Sequence, residues 1–244
     1  MCTVTFIPLG SGDFALTSNR DVSYRRPKAS PPQIHVDHGV SLLYPKDGKA
    51  GGTWIGSSRD NRLICLLNGG FDNHQRQPEY RKSRGLIVTE LLAADDLSER
   101  LRKIDLNDIE PFTLVLVEWV SDLQLGQFVW DGHVKHLKRL PLSPTIWSSS
   151  TLFDKSMREI RKDWFGSWIR EHELSPEAVL RFHKEAGAGD DMVGVVLRRK
   201  QVGTVSITQF VRREGLNVHY EALVSDQKGE EGNDDSPDRG QDHE

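Results

Sequence analysis

Three short stretches of this sequence carry side chains suited to nucleophilic chemistry: Cys2 at the chain start, Asn19-Arg20-Asp21, and Asn68 ahead of two glycines. Cysteine is small, so removal of Met1 is expected, which leaves Cys2 with a free α-amino group. That amine has a reference pKa of about 7.7 to 8.0, and a free thiol about 8.5. Near neutral pH the amine can take the thiol proton, so one residue supplies both nucleophile and base. Asp21 would orient and stabilise the ammonium, and Arg20 would favour the thiolate. The Asn68 amide, with nearby backbone N–H groups, would face a developing oxyanion. Each residue alone also has an ordinary reading: a buried thiol, a surface ion pair worth little, a turn asparagine.

The elements that must hold these residues can be read from spacing. Cys2 to Ile7 is β-rich, residues 8–13 are turn chemistry, and Phe14 to Ser18 returns as a second strand. That hairpin brings Asn19-Arg20-Asp21, at the end of the second strand, back beside the chain start. Residues 25–40, with Pro27, Pro31 and Pro32, are expected as an exposed extended loop. A glycine-led strand follows over Gly51 to Ser57, then a nearly all-apolar one over Leu63 to Leu67 that stops at Asn68-Gly69-Gly70.

Ser83 is placed to cap a helix carrying Leu86, Ile87 and Leu91, and Leu97 to Ile104 is a second, shorter one. Strands are expected over Phe112 to Trp119, Gln124 to Trp130 and His133 to Leu137, the last two joined at Asp131-Gly132. Asp154 to Arg170 reads as a helix with Met157, Ile160, Arg161, Trp164, Phe165 and Trp168 on one side. Ser175-Pro176-Glu177 starts another. Met192 to Leu197, Val202 to Val211 and Leu216 to Leu223 read as closing strands. The order of strands, helices, strands, helices, strands fits layered sheets with helices outside, and fits alternating βαβ poorly.

Bulk properties narrow the function classes. The 244 residues suffice for one sizeable domain, expected over 1–224, with an acidic, disordered tail over 225–244. A net charge of −4 gives no footprint for nucleic acid. No apolar run approaches the roughly 18 residues of a membrane span. With no secretory leader visible, a cytoplasmic location with reduced Cys2 and Cys65 is expected. The partner class that remains is a small-molecule ligand or substrate.

Met1-Cys2, Asn19-Arg20-Asp21 with Arg25-Arg26-Pro27, and Gly51-Gly52-Thr53-Trp54-Ile55-Gly56 resemble the NRDE family, also called the Transport and Golgi organisation protein 2 family. The strand to Leu67-Asn68 and the Arg84-Gly85 helix start extend the resemblance, which is dense over residues 1–92 and thinner to about 223. It implies an α+β fold: a four-layer αββα N-terminal-nucleophile hydrolase-like sandwich with two antiparallel sheets. More distantly, the pattern is similar to conjugated bile acid hydrolases and penicillin V acylases. Those enzymes cleave a non-peptide amide through an N-terminal Cys. Cys2, Arg20, Asp21 and Asn68 are then the expected catalytic set, with Asn19, Trp54, Ser149 and Ser150 as substrate-binding residues.

Three positions depart from the family pattern. Val22 stands where the motif has Glu, Ser148-Ser149-Ser150-Thr151 where a Ser-Asn pair is usual, and Val205 where an Arg sits between threonines. Two readings follow. In the first, Cys2 hydrolyses an amide or ester with no required cofactor. In the second, which the resemblance implies, the fold is a non-catalytic carrier of haem, lipid or acyl-coenzyme A. Other features read as structural: His35 and His38 as exposed loop histidines, Gly10-Ser11-Gly12 as a tight turn, Trp164, Phe165 and Trp168 as helix packing. Arg158, Arg161 and Lys162 are expected on the solvated flank of that helix.

Overall fold

A hairpin opens the chain. The structure, a computed structural model, describes residues 3–58 and 61–223; Cys2 and the expected tail over 225–244 lie outside the described residues. Strands β1 (Thr3–Gly10) and β2 (Asp13–Ser23) pair antiparallel, with Thr3 opposite Asn19. Strand β11 (Val202–Arg212) pairs along β2 as far as Ser23, so Asn19-Arg20-Asp21 lies inside β2 and not at its end. Strands β10 (Thr145–Ser148) and β12 (Leu216–Ala222) complete a five-stranded sheet in the order β10-β1-β2-β11-β12.

The second sheet has seven strands in chain order: β3 (Ser30–Asp37), β4 (Val40–Lys46), β5 (Ile55–Ser58), β6 (Arg62–Asn68), β7 (Phe112–Glu118), β8 (Gln124–Trp130) and β9 (Lys135–Leu140). Every pairing in both sheets is antiparallel. Alternation sorts the side chains into three apolar layers. Val4, Phe6, Phe14 and Leu16 meet Leu63, Cys65, Leu67 and Val115 between the sheets. Outside the larger sheet, Tyr44, Ile64 and Leu114 pack on helices α1 (Arg84–Leu92) and α2 (Leu97–Lys103). Outside the smaller one, Ile7 and Ala15 pack on α3 (Lys155–Glu171) and α4 (Pro176–Glu185) through Phe165, Val179 and Phe182. The result is the αββα sandwich. Each large apolar side chain so buried contributes roughly 1.5–3 kcal/mol, and a one-residue slip of β1 or β2 would turn a whole row to the wrong side.

Several expectations are corrected. The segment 25–40 is not a loop: it contains β3, which tolerates Pro31 and Pro32 because it is an edge strand with a register shift between Ser30 and Gln33. Strands β4 and β10 were not anticipated from the sequence, and Gly51 to Trp54 precede β5 without joining it. Residues Met192 to Leu197 form turns, not a strand. There the Asp190 carboxylate accepts from the Met192 and Val193 amides, and Arg161 donates to the Val193 and Gly194 carbonyls. Ser83 stands at the α1 N-cap without a side-chain bond, whereas Asp154 and Ser175 cap α3 and α4 with one each. Arg161 is wholly buried, not part of a solvated flank. His35 lies on β3, stacked 4.2 Å from Tyr44, and His38 is in the following turn at φ 52°. No helix among the described residues is long and apolar enough to cross a membrane.

Candidate functional site

Alternation along β2 sends neighbouring motif residues to opposite sides of the smaller sheet. Arg20 shares the inter-sheet side with Phe14 and Leu16, and its guanidinium lies 4.3 Å from the Trp54 ring centre. Its Nη2 donates to Asp47 Oδ2, an interaction the sequence did not reveal. Arg26 completes a fork on the same carboxylate, with Nε to Oδ2 at 2.8 Å and Nη2 to Oδ1 at 2.7 Å. Asp47 also accepts from the Lys49 and Ala50 amides, closing the 47–52 turn. Burial works against the Asp47 charge, yet the Arg26 and Ala50 hydrogen bonds and both guanidinium charges outweigh it and hold the carboxyl well below its usual range. Burial lowers the Arg20 pKa and Asp47 opposes that shift.

The Gly-Gly-Thr-Trp and Arg-Gly blocks belong to one contact. A Cβ on Gly52 would lie 2.3 Å from the Gly85 carbonyl carbon, so only glycine lets the 47–52 turn meet the start of α1. The Thr53 amide donates to Gly85 O across that contact. Arg84 beside it pairs with Glu110 at 3.0 Å and donates to Pro111 O. Arg20, Arg26, Asp47, Trp54, Asn68 and Arg84 thereby surround a cavity of about 120 Å³.

Asp21 faces the opposite way, is only 2% exposed, and accepts from Thr204 Oγ1 at 2.5 Å. A bulge between Thr204 and Ser206 leaves Val205 as the extra residue and keeps Thr204 opposite Asp21 while Ser206 stands opposite Arg20. Asn19 points to the same helix-covered side and is fully committed there. Its Nδ2 donates to His183 O and Val195 O, and its Oδ1 lies 2.6 Å from His183 Nδ1. The Asn19 oxygen therefore accepts a hydrogen bond from His183 Nδ1–H, and His183 Nε2 accepts from Thr5 Oγ1 at 2.7 Å. Burial, then Arg161, lowers the His183 pKa to about 3, so the ring is neutral. Arg161 donates to Thr3 Oγ1 and lies 3.6 Å over the Phe153 ring. The structure thus brings Arg20, Trp54 and Asn68 together and sets Asn19 in the core behind them.

Asn68 ends β6 at a corner that Gly69 makes possible: φ there is +84°, and a Cβ would lie 2.2 Å from Ser150 Oγ. Ser149 Oγ donates to Asn68 O at 2.7 Å and Ser150 Oγ to Asp72 O at 3.0 Å, so both hydroxyls tie the end of β10 to this corner. The Gly69 amide donates to Pro111 O, which removes it from the donors available here. The Asn68 side-chain amide remains, with no hydrogen-bond partner among the described residues. Asn68 also lines a larger groove of about 490 Å³ with Phe71, Gln127, Trp147 and Lys155. Sequence reasoning did not single out Asp47 or His183, and it placed Arg161 on a solvated flank. Asp47-Gly48 opening a turn, and Arg161 falling inside the apolar stripe of α3, were the available signals.

The sequence pattern of the family described as Transport and Golgi organisation 2 matches residues 1–192. The chain belongs to that family. A mouse protein described as a Transport and Golgi organization 2 homolog is 35% identical over 91 residues, 36% of this chain and 32% of the relative. The match therefore spans about a third of that relative's length. Among solved structures, a Caenorhabditis elegans N-acylethanolamine-hydrolyzing acid amidase ortholog superposes with a TM-score of 0.60 at 9% identity, covering 85% of this chain and 92% of the other. A variant of conjugated bile acid hydrolase from Clostridium perfringens reaches 0.50 at 10% identity, covering 91% and 92%. This member of the Transport and Golgi organisation 2 family therefore has the N-terminal-nucleophile hydrolase fold. The Gly-Gly-Thr-Trp and Arg-Gly blocks have a physical reason here: Gly52 on Gly85 sets the turn that carries Asp47, and Asp47 holds Arg20.

Proposed function

We propose that this protein hydrolyses a non-peptide amide or an ester with Cys2, freed of Met1, as the N-terminal nucleophile. The observation that carries the reading is the buried Asp21 carboxylate, with Arg20 next in sequence on the other face, on the strand that pairs with the start of β1. Thr3 faces Asn19, and one peptide bond separates Thr3 from Cys2. In the proposed reaction the α-amine takes the thiol proton, and the thiolate adds to the carbonyl carbon. The Asn68 amide donates to the oxyanion that forms. The ammonium then protonates the leaving amine or alcohol as its bond to carbon breaks, which leaves a thioester on Cys2. Water adds to the thioester, the amine takes its proton, and the C–S bond breaks to release a carboxylic acid and restore the thiol.

Asp21 stabilises the ammonium in this scheme, and Arg20 contributes positive charge already tuned by Asp47. The amidase named among the fold relatives is described as acting on N-acylethanolamines, which fits a C–N amide outside a peptide. A haem-carrying role would need an axial ligand other than Cys65 or His183, both sealed at 0% exposure. Intact mass of the mature protein and turnover of chromogenic acyl esters and acyl amides test the proposal. Loss of Met1, with turnover that falls to background in Cys2→Ala, is the expected result. Retained Met1, or turnover that survives Cys2→Ala, overturns it.

A further inference from the structure

We infer that the small cavity between the 47–52 turn and the start of α1 is a carboxylate subsite, and that a ligand seated there extends past Asn68 into the larger groove. The inference rests on geometry and not on Cys2 chemistry. Three guanidinium groups, from Arg20, Arg26 and Arg84, stand around about 120 Å³ of space. One carboxylate in that wall, Asp47, is shared by two of them. Arg84 is paired separately with Glu110. The wall thus keeps an excess positive charge.

Its donors are also unspent. Arg20 engages a described residue through Nη2 alone, Arg26 through Nε and Nη2, and Arg84 through Nη1 and Nη2. Arg20 Nε and Nη1, Arg26 Nη1 and Arg84 Nε have no hydrogen-bond partner among the described residues. The Trp54 indole N–H, on a wall residue 3% exposed, is buried and has no acceptor among the described residues. A bound oxyanion supplies several acceptor lone pairs at once to the open guanidinium N–H groups, and the Trp54 ring, 4.3 Å from the Arg20 guanidinium, reports on it. A planar carboxylate, with two acceptor oxygens, suits several single guanidinium N–H donors better than a spherical halide does.

The space is too small for more than the end of a ligand. Asn68 lies in the wall of both this cavity and the groove of about 490 Å³, whose lining includes apolar Phe71, Val129 and Trp147. The two volumes share Asn68 as a wall, and together they suit a molecule with a carboxylate head and a longer, partly apolar body. Arg20, Arg26 and Arg84 set the specificity for the head, and the groove sets it for the body.

Titration of the full-length protein with acetate and with hexanoate tests this, at constant ionic strength maintained with chloride. The readout is the indole N–H resonances of Trp54 and Trp147, each assigned with a Trp→Phe variant. Acetate is expected to move the Trp54 resonance saturably. Hexanoate is expected to bind more tightly and to move Trp147 as well. Arg26→Gln should weaken acetate roughly tenfold or more, as loss of a positive charge and of the charge-assisted hydrogen bond from Nη1 does. Arg26→Lys, which keeps the charge and loses the planar donor geometry, should weaken it less. No saturable shift, or a shift that chloride reproduces and that Arg26→Gln leaves unchanged, overturns the subsite. Hexanoate no tighter than acetate, with Trp147 unmoved, overturns the extension past Asn68. Acetate binding retained in Cys2→Ala would separate this result from the hydrolase proposal: binding without turnover sinks only the reaction, and turnover without binding sinks only the subsite.

Discussion

Replacing Asp47 by Asn tests the central electrostatic claim at nearly constant volume. The wild-type carboxylate is almost buried and carries Arg20 on one oxygen and Arg26 across both. Removing one partner of a buried ion pair typically costs about 3–5 kcal/mol, because the other charge is left uncompensated. Arg20 is 3% exposed and bears that cost in full, whereas Arg26 is about one-third exposed and can rehydrate. The amide oxygen of Asn can still accept from the Lys49 or Ala50 amide. The lower end, about 3 kcal/mol, is therefore expected. For a chain of this length that corresponds to a fall in Tm of roughly 6–12 °C.

The pH dependence adds a second constraint. The folded carboxyl is held below its unfolded value of about 3.9, so its stabilisation is fully present above that value and is lost as pH falls toward the folded pKa. Urea unfolding followed by circular dichroism across pH reads this directly. The gap between wild type and Asp47→Asn should be flat from roughly pH 5 to 8 and should narrow below about pH 4. A gap under about 1 kcal/mol at neutral pH, or one as wide at about pH 3 as at pH 7, would refute the reasoning.

Three other outcomes are expected. Gly52→Ala forces a Cβ to within 2.3 Å of the Gly85 carbonyl carbon and should destabilise the fold by about 1–3 kcal/mol, read as a lowered urea midpoint at unchanged slope. His183 has a folded pKa of about 3, far below its unfolded value near 6.5, so wild-type stability should rise with pH across that window by up to about 1.4 kcal/mol per unit. His183→Gln should flatten that slope, and an unchanged slope would place its origin elsewhere. Burial pushes the Cys65 thiol up to about 12, so a maleimide should leave Cys65 unmodified in the folded protein and modify it in urea; rapid labelling of native Cys65 would contradict its burial.

What the sequence disclosed follows the reach of each signal. Local chemistry located α4 to the residue, because Ser175, Pro176 and Glu177 act within one turn. The apolar run of β6 and the hairpin after Trp130 were equally legible. Edge strand β3 was hidden because two prolines speak against a strand and only pairing with β4 supplies the reason for one. Arg20 and Asp21 were legible as candidates, but their opposite facings depend on β2 continuing to Ser23, which β11 enforces from far along the chain. Asp47 and Arg161 stayed hidden for a related reason. A charged residue is read as solvated unless its distant partner is known, and the partners here are Arg20 and the carbonyls of Val193 and Gly194.

The smaller sheet has a consequence for when the protein becomes competent. Its two central strands are the first to be synthesised, yet β10 flanks them from residues 145–148 and β11 from 202–212. The imidazole that bridges Thr5 and Asn19 belongs to residue 183, and the hydroxyl on Asp21 to residue 204. A nascent chain carries Asn19, Arg20, Asp21 and Asn68 well before β11 emerges and cannot set Asp21 against Thr204 until it does. Translation stopped short of Val202 would yield Asn19-Arg20-Asp21 without the strand against which Asp21 is set.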